Sequence, residues 1–213
     1  MAQRTIHYLF GEIISRQVEL RDKNRFLLGS VLPDAYVDVS DRDRTHFKVK
    51  WENKSFLDFE AFLEEYFELI CKDDLYLGYY MHLVEDAFYR QVFYNEHKKM
   101  PRSKKDVLRL HQDYHILNSY IVNKYGLKNE LYMEMSLDAE DFQKIAAFRI
   151  EEFLLEMSND FLENTIGKTF YITEEMLDEF VEKYVPLAVA ELKSIQKGVS
   201  ILHARDYIWI KDT

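Results

Sequence analysis

Tyr76-Leu77-Gly78-Tyr79-Tyr80-Met81-His82-Leu83-Val84-Glu85-Asp86 holds a histidine and an aspartate four residues apart in a run that reads as apolar helix. On a helix, positions i and i+4 share a face, with Cβ atoms about 5–6 Å apart. His82 and Asp86 can therefore bind one ion together without any loop having to place them. Leu75, Tyr79, Leu83 and Phe88 crowd the same region, and a polar pair buried among them needs a partner. This helix is expected to be the spine of a metal site. The plainer alternative is a hydrogen-bonded pair that orients a core helix.

Working outward, Asp73 or Asp74 can cap this helix, which should run to about Tyr94. On its N-terminal side, Ser55 with Asp58 three residues on predicts a capped helix through about Lys72. Residues 6 to 20 carry Ile6, Leu9, Phe10, Ile13, Ile14 and Val18 at helical spacing, with His7 near that stripe. Phe26 to Leu32 is an apolar segment ended by Pro33, which disfavours helix in the residue before it and leaves Asp34 on a loop. Val37 to Trp51, rich in Asp, Arg and Lys, reads as an irregular loop, the longest in the chain.

On the C-terminal side, residues 96 to 102 form a loop. Ser103 with Asp106 starts a helix carrying Leu108, His111, His115, Leu117 and Ile121 toward Gly126. Ser136 should open a long helix to about Phe161, and Thr173 another to about Lys197. Asp206 to Ile210 alternates as an extended tail would.

With only 6 Gly and 3 Pro in 213 residues, helices joined by short loops are favoured. The expected fold is all-α, a single-domain multi-helix bundle over 1–213, with residues 1–125 as the metal-site half and 130–213 as scaffold or lid. A net charge of -10 argues against stable nucleic-acid binding, which needs Lys and Arg to neutralise phosphates. An anionic substrate held by a metal ion stays open, because the ion's own charge can dominate its surroundings. The lone Cys71 excludes an internal disulfide framework and fits a reducing compartment. No run of about 18 apolar residues exists, so no membrane span is expected. The N-terminus lacks a signal-peptide core, which makes a cytoplasmic location the expectation.

Six of the seven histidines lie in the first half, at positions 7, 46, 82, 97, 111 and 115, with Asp34 and Asp86 among them. Imidazoles and carboxylates together suit Zn, Mn or Fe, and no thiolate cluster competes. His111 and His115 repeat the i, i+4 spacing on a helix that could pack beside the first. His97, among Glu96, Lys98 and Lys99, reads as a solvated loop residue.

Gly29-Ser30-Val31-Leu32-Pro33-Asp34, then Thr45-His46-Phe47, then Leu77 to Asp86, in that order, resemble the zinc-dependent phospholipase C family and the related single-strand-specific zinc nucleases. The resemblance covers roughly residues 7 to 118. It implies an all-helical fold with up to three zinc ions that cleaves phosphodiester or phospholipid head-group bonds. The family's ligand order falls on His7, Asp34, His46, His82 with Asp86, His97, and His111 with position 115. It also implies Asp34 as the base beside the metal-bound water and Asp86 as a bridge between metals. Two departures stand out. Position 115 is His where the family has Glu, which leaves Asp113 as an alternative ligand. Secreted members use a freed amino terminus as a ligand, whereas His7 here follows an ordinary Met1.

The expected activity is hydrolysis of a small-molecule or lipid phosphoester by a metal-bound hydroxide. One to three zinc ions are expected, and other divalent metals could substitute. The alternatives are a helical phosphohydrolase with a single metal and a non-catalytic helical binding protein that keeps the fold.

Overall fold

The structure, a computed structural model, describes residues 3–131 and 142–210. Its axis is α5 (Asp74–Tyr89), in which all sixteen residues are buried. A helix with aromatic and aliphatic residues on every side has no face to give to water, so neighbours must cover it all round. Asp73 caps it, accepting from the Leu75 N–H. α1 (Arg4–Ser15) and α2 (Lys23–Val31) precede it, and Asp22 caps α2 through the Asn24 and Arg25 N–H groups.

The crossing of α2 and α5 decides where the site forms. A Cβ on Gly29 would lie 2.1 Å from the Leu75 carbonyl oxygen, and one on Gly78 would lie 2.1 Å from that of Phe26. Only paired glycines let the two backbones touch. The 3-10 turn Leu32–Asp34 follows α2 directly, with Pro33 in its first turn, so Asp34 arrives beside the middle of α5.

The segment expected to be an irregular loop is ordered. It contains a 3-10 turn (Val39–Asp41), a one-turn α3 (Arg42–Thr45) and strand β1 (Lys48–Trp51). β1 pairs antiparallel with β2 (Lys54–Leu57), and Ser55 sits inside β2 rather than capping a helix. Asp58 takes the cap of α4 (Phe59–Ile70), accepting from the Ala61 N–H. β2 in turn pairs with β3 (Trp209–Ile210) near the C-terminus. The fold is thus mostly helical, roughly as the all-α expectation has it, with the addition of a small three-stranded antiparallel sheet. Two short runs with Val, Trp, Phe and Leu flank the tight turn at Glu52–Asn53, where Glu52 takes φ 54°. The density of charged residues around them hid that signal.

α5 also stops earlier than Tyr94. At Arg90 it widens into a π-helix (Arg90–Glu96), a form that recurs at functional sites. α6 (Lys104–Tyr125) starts at a Ser103 cap and closes on Gly126 at φ 60°. The single long helix expected from Ser136 is instead two among the described residues, α7 (Phe142–Ile145) and α8 (Ile150–Leu162), parted at residues 146–149 where Phe148 forms a β-bridge with Tyr36; Ser136 itself lies outside the described residues. α9 (Glu174–Ile195) is capped by Thr173. The two halves interlock: Glu191 of α9 accepts a 2.6 Å hydrogen bond from Tyr80 of α5, and Arg4 of α1 pairs with Asp160 of α8 at 2.5 Å. Among the described residues, no helix is long and apolar enough to cross a membrane.

Candidate metal centre

Five side chains from four segments converge against α5. His7 comes from α1, Asp34 from the turn after α2, His46 from the end of α3, and His82 and Asp86 from α5 itself. Asp34 lies 3.2 Å from His46 Nε2 and 3.7 Å from His7 Nε2. Asp86 lies 3.7 Å from His46 Nε2 and 3.9 Å from His7 Nε2. The His7 and His82 rings stack with centroids 3.8 Å apart, and the Nε2 atoms of His82 and His46 are 3.3 Å apart.

Each imidazole is held from behind through Nδ1. His7 Nδ1 donates to Glu85 Oε2 at 2.8 Å, His46 Nδ1 to the Arg42 carbonyl at 2.8 Å, and His82 Nδ1 to the Ser30 carbonyl at 2.8 Å. These acceptors assign the Nδ1–H tautomer to His46 and His82, so their Nε2 atoms face each other with lone pairs. Two lone pairs at 3.3 Å, with two carboxylates beside them, repel unless a cation or proton lies between them. His7 Nε2 is buried and makes no hydrogen bond. Backing of this kind is what orients metal-binding histidines. Two overlapping trios, His7–Asp34–His82 and His46–His82–Asp86, each bring one ligand atom apiece within 4.8 Å of one another.

Electrostatics assign a proton to the cluster when no ion is there. Burial works against a charged His7, but the Glu85 carboxylate, with Asp86 and Asp34, outweighs it and lifts the imidazole to about 9. Burial pushes Glu85 up as well, so this coupled pair shares a proton that rests on the histidine. His82 is driven well below its ordinary value, first by burial and then by the charge of His7. Burial alone would raise Asp34 and Asp86. The surrounding histidines hold Asp34 below the usual range, and the Arg90 guanidinium does the same for Asp86. Both carboxylates are therefore ionised at neutral pH.

No family model, curated protein or solved structure matches this chain. The site therefore stands on its own geometry.

Asp34 and His46 line a cavity of about 990 Å³, while His7, His82 and Asp86, fully buried, do not reach it. Arg42, Lys48, Arg90, Arg102 and Arg149 line its walls, with Tyr36, Tyr94, Tyr114 and Trp209 between them. Asp43 and Asp160 also line the cavity, and Lys48, Arg90 and Arg149 pair with carboxylates, but cations outnumber acids in the lining, and in a chain of net charge -10 that local excess favours an anionic ligand.

The other sequence candidates lie elsewhere. His111 and His115 project from α6 into the cavity wall, outside the cluster, and His115 Nδ1 pairs with Glu163 at 2.5 Å. Asp113, the alternative ligand, is buried facing away. Its carboxylate accepts the backbone N–H groups of Phe170, Tyr171 and Ile172 at 2.6–3.1 Å, leaving it committed to a loop. His97 pairs with Glu179 of α9 at 3.1 Å. Sequence reasoning did not single out Glu85, Arg90 or Arg42. The available signal was spacing: Glu85 is three residues past His82, and Arg90 is four past Asp86.

Proposed function

We propose that this chain is a metal-dependent hydrolase of a phosphoester, with a zinc-type centre in the cluster on α5. The observation that carries the reading is the convergence of three Nδ1-anchored imidazoles and two ionised carboxylates on one buried point. Even with a proton on His7 and Arg90 beside Asp86, the buried His7 Nε2 and Asp34 Oδ1 make no hydrogen bond, and a bound cation would relieve that cost. His46, His82 and Asp86 would hold the ion, with His7 and Asp34 completing its surroundings. A bound divalent ion supplies Lewis acidity at a phosphoryl oxygen and makes a water nucleophilic near neutral pH.

The chain's own groups do the rest. Asp34, ionised and lining the cavity, would accept a hydrogen bond from the attacking water and aim it. Glu85 keeps the His7 ring in register, and the Arg42 and Ser30 carbonyls fix the other two rings. The cationic walls draw in the anionic ester, and burial of the cluster keeps bulk water from competing. Zinc, with one to three ions, is favoured by the nitrogen-rich ligand set, and the resemblance to the zinc-dependent phospholipase C family points the same way. A cytoplasmic location agrees with the single exposed thiol, Cys71.

The test is turnover by zinc-loaded full-length chain on a panel of phosphodiester, phosphomonoester and phosphocholine esters. Hydrolysis of at least one class that disappears in His82→Ala is expected. Equal turnover by variant and wild type would remove His82 from the chemistry. A chain that binds zinc and hydrolyses nothing would favour the binding-protein alternative.

A further inference from the structure

Arg90 is 5% exposed, yet it lines the same cavity as Asp34 and His46. Its Nη1 lies 2.8 Å from Asp86 Oδ2 and donates to the Asp86 carbonyl at 2.6 Å. Its Cζ stands 4.7 Å from the centroid of the Trp209 ring, contributed by β3. A guanidinium has five N–H donors in a fixed planar fork. Both of these contacts use Nη1, and the aromatic face of Trp209 covers the flat side of the group, not its edge. The rest of its N–H edge belongs to a buried cation at the wall of the cavity that Asp34 and His46 also line. That arrangement suits a planar fork to carboxylate- or phosphate-like oxygens.

Asp86 fixes where such an anion would sit. The carboxylate that Arg90 touches is itself 3.7 Å from His46 Nε2 and 3.9 Å from His7 Nε2. Arg90 is thus separated from the imidazole cluster by a single carboxylate, and one tetrahedral anion could touch both. The i, i+4 spacing from Asp86 to Arg90 and the start of the π-helix at Arg90 hold this geometry on the same rigid helix as the candidate ligands.

We propose that Arg90 binds an oxygen of the phosphoryl group brought to the metal centre, with Nη1 kept on Asp86, and that its charge also weakens the centre's hold on the metal. The inference rests on the metallohydrolase reading and extends it by naming the chain's own anion-binding group. It has two consequences of opposite sign. Removing the charge leaves Asp86 more available to a divalent ion, so metal binding tightens. Removing the donors strips the anion of its partner, so phosphate binding weakens. A residue that merely props Asp86 in place would weaken both.

The experiment uses full-length chain. Zinc affinity is read by competition with a chromogenic chelator, and inorganic phosphate binding to the zinc-loaded chain by calorimetry. In Arg90→Gln, zinc should bind several-fold tighter and phosphate about tenfold weaker or more, the scale of a lost charged hydrogen bond. Arg90→Lys, which keeps charge but not the fork, should leave zinc near wild type and give intermediate phosphate affinity. Unchanged phosphate binding in Arg90→Gln, or parallel loss of zinc and phosphate, would overturn the assignment. Should Arg90→Gln fail to fold, the wild type decides. Its Arg90 Nε–H resonance, assigned by its absence in Arg90→Lys, should shift with phosphate only when zinc is bound; no shift overturns the proposal. A wild-type chain that retains no zinc removes the metallohydrolase reading altogether. One that holds zinc and phosphate with Arg90 indifferent removes this inference alone.

Discussion

α5 and α6 carry pairs at the same spacing, His82 with Asp86 and His111 with His115, and the two pairs have opposite surroundings. On α5 both residues are 0% exposed, and each contacts groups from other segments. On α6 both histidines face the open cavity wall, and His115 is satisfied by Glu163. Spacing only puts two side chains on one face. Burial decides whether they face other segments of the chain or water. α5 is apolar on every side and must sit inside, whereas α6 alternates Lys, Arg, Gln and Asp with its apolar stripe and keeps one face wet. The acid on α6 that is buried, Asp113, points the other way and serves a backbone loop.

The largest expected effect breaks this comparison directly. His82→Ala should abolish stoichiometric zinc binding, as read by metal analysis after dialysis, because His82 belongs to both candidate trios. Retained zinc would show that the ion sits elsewhere. Next is Glu85→Gln, which changes the hydrogen-bond partner of His7 Nδ1. Losing an outer partner of a ligand histidine should cost about 10–100-fold in zinc affinity. Chelator competition measures it, and an unchanged affinity would remove His7 from the ligand set.

The pH dependence sharpens the same point. His7 titrates at about 9 in the zinc-free chain, so zinc binding at pH 7 must displace close to one proton from it. Calorimetry in buffers of different ionisation enthalpy should record that proton, and zinc affinity should rise with pH up to about 9. The stability of the zinc-free chain runs the other way. Because the folded value lies above the ordinary 6.5, the His7 contribution is complete below 6.5 and is lost as pH rises through about 9.

Asp113→Asn should weaken the fold by about 1–3 kcal/mol, the cost of disturbing a buried acceptor of several N–H groups, and leave zinc content unchanged. Chemical denaturation beside metal analysis separates the two. The smallest effect belongs to α6: His111→Ala with His115→Ala should stay within about 0.5 kcal/mol per site and keep full zinc. Loss of zinc in that double variant would place an ion on the cavity wall and dissolve the contrast between the helices.

Much of the site was legible in the sequence because its residues are chemically conspicuous where they stand. His82 and Asp86 interrupt an apolar run, Asp34 follows Pro33 at the end of an apolar element, and His46 sits in a charged segment between them. The helical elements and most caps were legible for the same reason: Asp73, Ser103 and Thr173 each precede a periodic stretch and bond its first turn. The sheet was not, since β2 pairs with β3 some 150 residues away and no local pattern announces such a partner. Arg90 escaped notice because an arginine at the end of a helix usually means solvent. Its burial comes from the fold, with Asp86 held at its Nη1 and Trp209 of β3 over its plane. Asp113 misled because capping a distant loop and ligating a metal call for the same acid at the same place on a helix.

The central claim is an ion held on α5 by imidazole nitrogens and carboxylates. X-ray absorption at the zinc edge, on full-length chain loaded and dialysed, tests it most directly. The account predicts an all-nitrogen and oxygen shell at about 2.0–2.2 Å with imidazole outer-shell scattering, lost in His82→Ala and retained in the double variant of His111 and His115. A chain that holds no zinc, or zinc whose shell survives His82→Ala unchanged, would contradict it.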